Sequence, residues 1–343
     1  MTRWPTLCAF FLAVTAVTGG CAEAAHEAAS KDGRIVFQRF DPKLATTRLY
    51  TVAPDGRGLR AITKPGAGDG GDSQPDWSPD GRKILFRRFV DLGQANERLH
   101  IFVVGADGRG LRNLTVGSCN GLCLTNEEPA WAPDGRRIAF VRTMGPIRRG
   151  GLPRISGIFV MNADGTHVRQ LTQRKGTFRT EDHAPSWSPD GKRIAFMSAN
   201  TTFRPAGASV IYVINADGTH PRLLRSLSHA WPGAGAPAWS RDGKRILYGT
   251  YCWFGTCGQA PTGAQLFTIG ADGKSPRQLT RVSGNAVGGR WSPDGKQIVF
   301  IRNPRVGPTG DVYTMNANGT AIRQVTDALD LGARNPDWGP AAR

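Results

Sequence analysis

Trp187-Ser188-Pro189-Asp190-Gly191-Lys192-Arg193-Ile194-Ala195-Phe196 decides the fold, because near copies of it recur along the whole chain. The pattern W-S-P-D-G-[KR]-x-I-x-F returns at Trp77, Trp131, Trp239 and Trp291, and a truncated sixth copy ends at Trp338-Gly339-Pro340, at spacings of 47 to 56 residues. Each copy reads as a hairpin. Pro189 presets φ at the second turn position, Asp190 suits the third, and Gly191 accepts the left-handed backbone that sends the chain back. The apolar run that follows, Ile194-Ala195-Phe196, reads as a strand covered on both faces.

A second element follows each first one: Leu49-Tyr50-Thr51-Val52, Ile101-Phe102-Val103-Val104, Ile158-Phe159-Val160-Met161, Ile211-Tyr212-Val213-Ile214, Leu266-Phe267-Thr268-Ile269 and Val312-Tyr313-Thr314-Met315. Each runs into an Asp-Gly or Asn-Gly turn, at Gly56, Gly108, Gly165, Gly218, Gly273 or Gly319, and then a short strand ending in Leu-Thr or a close variant. A repeat is therefore two hairpins, or four short strands. Four-stranded units at this period are the signature of propeller blades set radially. The chain ends complement one another: Asp337-Trp338-Gly339-Pro340 supplies a first strand without a second, and Asp32-Gly33-Arg34-Ile35-Val36-Phe37 a second without a first. The sequence thus predicts an all-β, six-bladed β-propeller over residues 31–340, with four strands per blade. The C-terminal strand should pair with the N-terminal blade, so that no sheet edge stays open where the termini meet.

The repeated W-S-P-D-G-[KR]-x-I-A-F and I-[YF]-V-M-N-A-D-G-T strings resemble the TolB-like propeller repeats, over about residues 31–340. That resemblance implies a periplasmic partner in envelope complexes, or a propeller of the kind that gates or caps α/β-hydrolase peptidases. The sequence departs from both relatives. It shows no N-terminal α/β domain before the first blade, which puts roles of that domain in doubt. It also has no hydrolase domain and no G-x-S-x-G nucleophile elbow, so a peptidase acting in cis is not expected. Fold alone does not carry function.

The N-terminus has the order of a secretory signal peptide: Arg3, an apolar run from Leu7 to Val17, then small residues. The run is shorter than the ~20 residues a membrane span needs. Cleavage is expected after Ala24, giving a signal peptide over residues 1–24, unless Thr18-Gly19-Gly20-Cys21 acts as a lipobox with Cys21 as lipid anchor. Export would place the protein in the periplasm, the cell envelope or outside the cell. Four cysteines lie beyond this segment, Cys119 with Cys123 and Cys252 with Cys257. Local disulfides are the expected reading in an oxidising compartment, with a zinc site as the alternative. The formal charge of the full chain is +17. It either attracts anionic surroundings or merely solvates turns such as Asp80-Gly81-Arg82-Lys83. Neither nucleic acid nor a transmembrane span is expected, and a ring needs no second copy, so a monomer is.

The Asp-Gly hairpins all join strand one to two or three to four, so the longer loops gather at the opposite end. These include Thr143 to Ser156, Thr250 to Ala264, Val116 to Pro129 and Gln173 to Pro185. Loops on one rim of a rigid scaffold are where binding residues collect. Ahead of the blade tryptophans stand Asp76, Glu127, Glu128, Glu181, Asp182, His183, Asn335 and Asp337. Glu127 and Glu128 set against Glu181, Asp182 and His183 offer a divalent-cation site or an acid and base, although the spacing matches no metal motif and polar rim residues are ordinary. No cofactor is expected. Trp231 and Trp253 in the loops, with Tyr251, Phe254 and Phe203, offer an exposed aromatic contact, and Arg148, Arg149 and Arg179 basic ones. The reading favoured is a non-catalytic binder of an envelope protein or peptide. The alternative is a protein that binds carbohydrate or an anionic cell-wall polymer, or a lyase or hydrolase built on the acidic and His cluster.

Overall fold

In the computed structural model, residues 33–66, 68–90, 98–117, 123–144, 155–172, 180–200, 209–226, 233–234, 236–251, 263–303, 310–327 and 332–342 are described. All regular structure among them is β. Strands β1 (Arg34–Asp41), β2 (Thr46–Val52) and β3 (Arg60–Ala61) form an antiparallel sheet, completed on the other side of β1 by the last strand, β25 (Ala333–Gly339). The register sets Arg34 opposite Gly339 and Ile35 opposite Trp338. The same antiparallel order recurs in β4 (Gly71–Trp77), β5 (Lys83–Val90), β6 (Arg98–Gly105) and β7 (Arg112–Asn113). It recurs again in β8 (Cys123–Trp131), β9 (Arg137–Met144), β10 (Ile155–Asn162) and β11 (Arg169–Gln170), then in β12 (Thr180–Trp187), β13 (Arg193–Asn200), β14 (Ser209–Asn215) and β15 (Arg222–Ser226). Single parallel bridges, Leu99 to Thr125 and Ser156 to Glu181, link these three sets edge to edge. In the fifth set β16 (Gly233–Ala234) and β17 (Ala238–Trp239) both pair with β18 (Arg245–Tyr251), which is followed by β19 (Leu266–Gly270) and β20 (Arg277–Gln278). The sixth is β21 (Asn285–Trp291), β22 (Gln297–Asn303), β23 (Asp311–Asn316) and β24 (Arg323–Gln324).

The turn chemistry read from the sequence is visible atom by atom. In the Ser188–Gly191 turn the Gly191 N–H donates to the Ser188 carbonyl at 2.9 Å, the Ser188 hydroxyl donates to Asp190 at 2.5 Å, and the Lys192 N–H donates to the same carboxylate at 3.1 Å. Gly191 has φ +65°, which a Cβ would resist. At the outer edge the arginine that opens the fourth strand of a repeat reaches the next repeat. Arg169 donates to the Ala216 carbonyl at 2.6 Å and Arg222 to the Ala271 carbonyl at 2.8 Å. Part of the positive charge thus ties neighbouring sheets together.

Apolar clusters hold the sheets face to face. Val36, Leu49 and Ile62 of the first sheet pack on Trp77, Ile84 and Phe86 of the second. Ile35, Phe37 and Trp338, on the other face of the first sheet, pack on Val299, Ile301 and Val312 of the last. Four further clusters join the intervening sheets in succession. An aromatic pair bridges the two middle strands of each repeat, from Phe37–Tyr50 at 6.3 Å to Phe196–Tyr212 at 5.6 Å between ring centroids. Each such ring removed from water contributes about 1.5–3 kcal/mol, so the core is spread over all the interfaces. The repeat tryptophans belong to these clusters, from Trp338 at 2% exposed to Trp131 at 9%.

The strands run further than the loops read from the sequence allow. β8 begins at Cys123, β9 reaches Met144, β10 begins at Ile155 and β12 at Thr180, all inside segments read as loop. The added positions mix polar residues, Glu127, Glu128, Glu181 and His183 among them, with apolar ones such as Met144 and Ile155, so these strand ends show no alternation for sequence reading to detect.

Candidate functional site

The first strands of the repeats surround a cavity of about 200 Å³. Its wall is built from equivalent segments: Gln74-Pro75-Asp76-Trp77, Glu128-Pro129-Ala130-Trp131, Ala184-Pro185-Ser186-Trp187, Gly288 with Arg290 and Trp291, and Asn335-Pro336-Asp337-Trp338, with Ala236, Ala238 and Trp239 from the remaining repeat. The residue ahead of the proline is ordinarily extended. Here Gln74, Glu128, Ala184 and Asn335 have φ of 53°, 54°, 51° and 48°, and Gly288 has 66°. Left-handed backbone costs a non-glycine residue on the order of 1–2 kcal/mol, and it coincides with a bulge in the pairing of β4, β8, β12 and β21. The same local strain is thus repeated around the cavity.

The bulge turns side chains toward neighbouring repeats and makes two tiers of hydrogen bonds. In the outer tier the Glu128 N–H donates to the Gln74 side-chain oxygen at 2.9 Å, and the Ala184 N–H to the Glu128 carboxylate at 2.5 Å. In the inner tier Asp337, Asp76 and Ser186, each the residue before a tryptophan, bond the next repeat. The Trp77 N–H donates to Asp337 and the Trp131 N–H to Asp76, both at 2.7 Å, and the Trp239 N–H donates to Ser186 at 3.2 Å. Where alanine occupies that place the indole takes over: Trp187 Nε1 donates to the Ala130 carbonyl and Trp291 Nε1 to the Ala238 carbonyl, each at 3.2 Å.

The ionisable groups fall into two clusters. At the mouth, His183 lies between Glu128, with Nδ1 3.6 Å from the carboxylate, and Glu181, with Nε2 at 3.7 Å. Burial opposes charge on this imidazole, but the hydrogen bonds and charges of the two glutamates together outweigh it and push His183 up to about 10. It is an imidazolium at neutral pH. Burial likewise opposes ionisation of Glu128, and His183, the Ala184 N–H and Arg87 overcome it, so its pKa lies below the ordinary glutamate value. Deeper in the cavity, Asp76 and Asp337 keep only part of their surface open. Burial first and repulsion from Asp337 second push Asp76 well above the ordinary carboxylate range; burial raises Asp337 as well. The charges of Arg290 and Arg241 act in the opposite direction on both.

Of the residues proposed from sequence, the structure gathers Glu128, Glu181 and His183 at the mouth and separates the other two. Glu127 pairs with Arg87 at 2.5 Å and accepts from Thr125 at 2.9 Å. Asp182, one residue from both Glu181 and His183 on an alternating strand, is 2% exposed, and its carbonyl accepts from the Ser156 hydroxyl at 3.0 Å. Asp76, Asn335 and Asp337 line the cavity. Cys21, Cys119, Arg148, Arg149, Arg179, Trp231, Cys252, Trp253 and Cys257 lie outside the described residues, as do Phe203 and Phe254 and the side chains of Cys123 and Tyr251. Among the described residues, no group of three or more His, Cys, Asp and Glu is arranged to hold a metal ion, and no helix is long and apolar enough to cross a membrane. Sequence reading overlooked Gln74, Arg87, Arg241 and Arg290. The recurring x-Pro-x-Trp would have found Gln74, whereas Arg87 reaches the mouth from a second strand with no spacing signal.

The chain matches the TolB beta propeller domain family over residues 75–251. It is 27% identical over 215 residues to the uncharacterized protein Atu1656 of Agrobacterium fabrum, covering 62% of this chain and 61% of that protein. It is 32% identical over 145 residues to dipeptidyl-peptidase 5 of Porphyromonas endodontalis, covering 42% of this chain and 19% of that protein. The chain thus spans about three-fifths of the first relative and about a fifth of the second. Among solved structures it is similar in fold to TolB from Acinetobacter baumannii, with a TM-score of 0.63, 21% identity, and coverage of 90% of this chain and 67% of that one.

Proposed function

We propose that this chain, which belongs to the TolB beta-propeller family, is an exported, non-catalytic six-bladed ring that binds a protein or peptide partner of the cell envelope at the loop-side mouth of its cavity. Ring closure is supported by the pairing of β25 with β1 and by the apolar clusters on both faces of that sheet. Deleting residues 333–343 removes Trp338, bares the edge of β1 and should abolish a cooperative thermal transition. A shortened chain that melts as sharply as the intact one contradicts closure.

The observation that carries the binding reading is the state of the ionisable groups at the mouth. His183 is held charged between two carboxylates, and Glu127 is bound by Arg87. Groups committed to one another in this way are poorly placed for proton transfer near neutrality, which needs a pKa close to the working pH. They do form a preorganised polar rim, and a rim fixed before binding lowers the ordering cost of association. The Glu128 and Glu181 carboxylates with His183 between them, and Arg87 on Glu127, suit the mixed donors and acceptors of a peptide.

The test is affinity capture from native envelope with the intact chain and with Glu128→Gln. The amide can still accept from the Ala184 N–H but no longer neutralises His183. A discrete polypeptide captured by the wild type and weakened about tenfold or more in the variant is expected. Capture of glycan or wall fragments in place of a protein would move the assignment to polymer binding.

A further inference from the structure

The face opposite the loops carries an arrangement that partner binding at the cavity mouth does not use. The residue directly after the glycine in each of five first-to-second-strand hairpins is a cation: Arg82, Arg136, Lys192, Lys244 and Lys296. All five are exposed. Their carbonyls accept from the N–H groups that open the neighbouring third-to-fourth-strand turns, Ala106, Ala163, Ala216, Ala271 and Ala317, at 2.8–2.9 Å. The two sets of turns therefore form one continuous surface. Four of the five hairpins hold two or three Lys or Arg against one Asp, and that Asp is tied into its own turn by the backbone N–H two residues on. Arg137 turns back onto Asp134 at 3.1 Å and Arg241 lines the cavity, whereas Arg82, Arg136, Lys192, Lys244 and Lys296 are exposed cations of this face.

Two further features mark the same face. Leu59 and Leu111 are exposed large apolar side chains, 42% and 46%, and each stands in a third-to-fourth-strand turn between arginines, Arg57 and Arg60 or Arg109 and Arg112. Both chain ends also meet here. Gly33 enters β1 against Gly339, Arg34 donates to the Gly58 carbonyl beside Leu59, and a Cβ at Gly81 would strike Pro340 and Ala342. The N-terminal segment, with Cys21, therefore joins the described protein on the basic side.

We infer that the turn face docks on an anionic lipid bilayer, with its ring of cations on the headgroups and Leu59 and Leu111 at the interface, so that the cavity mouth points away from the membrane. A single weak anchor binds a bilayer reversibly, and a basic patch beside it makes the attachment stable. The exposed leucines favour a bilayer over a soluble polyanion, which has no apolar layer to receive them.

The experiment uses the chain from Ala25 onward with phosphatidylcholine vesicles, either plain or containing about one-third phosphatidylglycerol, at about 0.1 M salt where the Debye length is ~10 Å. The expected signal peptide is absent from both samples, so their difference isolates the basic face. Hydrogen exchange of the wild type should slow in residues 78–83, 132–137 and 188–193 on the anionic vesicles alone. Changing the five cations to Gln should lower co-flotation at least tenfold, and Leu59→Ser with Leu111→Ser should lower it further. Equal exchange on both vesicles, protection on the loop side, or flotation indifferent to the five substitutions overturns the inference. So does equal protection by soluble polyglycerol phosphate, which would make the face a wall-polymer site.

Discussion

Asp76 and Asp337 place two carboxyls within each other's influence in a cavity that solvates them poorly, each holding a backbone N–H of the next repeat. Both roles need an acceptor oxygen, and neither needs two negative charges. Asp76 in the folded state keeps its proton to higher pH than in the unfolded chain, whose value is near 3.8. The folded state therefore binds more protons above that pH, and stability falls as pH rises toward the folded value. Asp76→Asn keeps an acceptor for the Trp131 N–H and removes the repulsion. The variant should melt about 2 °C or more above the wild type at pH 7.5 and show no gain at pH 4. Thermal melts at the two pH values check this, and a gain that is the same at both would show that repulsion is not the cause. His183 illustrates the converse case, where two opposite charges keep a half-buried group ionised.

The cavity-lining strand is the element in which sequence and structure are most closely coupled, and its tryptophan is bonded in two ways. Trp187 and Trp291 donate their indole N–H to an alanine carbonyl, whereas the indole nitrogens of Trp77, Trp131 and Trp239 are buried without a partner. Trp187→Phe orphans the Ala130 carbonyl, but Trp239→Phe removes an N–H that was already unmatched. With similar ring burial, the first substitution should cost about 1 kcal/mol more than the second; denaturant melts of the two variants measure the difference, and equal costs would contradict the role assigned to the bond. This element also shows what was legible. The hairpins could be read because Pro, Asp and Gly recur at fixed offsets for conformational reasons. The strand ends at Cys123, Ile155 and Thr180 could not, because they lie beyond the repeated strings and join their neighbours through a backbone register that no residue pattern marks. Glu128 and His183 were visible as neighbours in successive repeats, but the bulge that turns one toward the other depends on a left-handed φ before proline, which sequence preference argues against.

For the molecule as a whole, the division of labour between its two faces follows from the direction of the strands. Among the described residues the Asp-Gly and Asn-Gly turns lie at one end of the strands, so that end gathers the hairpins and their cations, and the cavity mouth with Glu128 and His183 lies at the other. The most direct measurement of that division is photo-crosslinking in native envelope from two positions of the intact chain. One is Val116, 70% exposed where the Val116 to Pro129 connection begins, and the other is Thr219, exposed in a turn at the opposite end. A discrete polypeptide crosslinked from Val116 and absent from Thr219 is the result expected of a partner held at the loop-side mouth. The same polypeptide from Thr219 alone, or glycan alone from Val116, would contradict it.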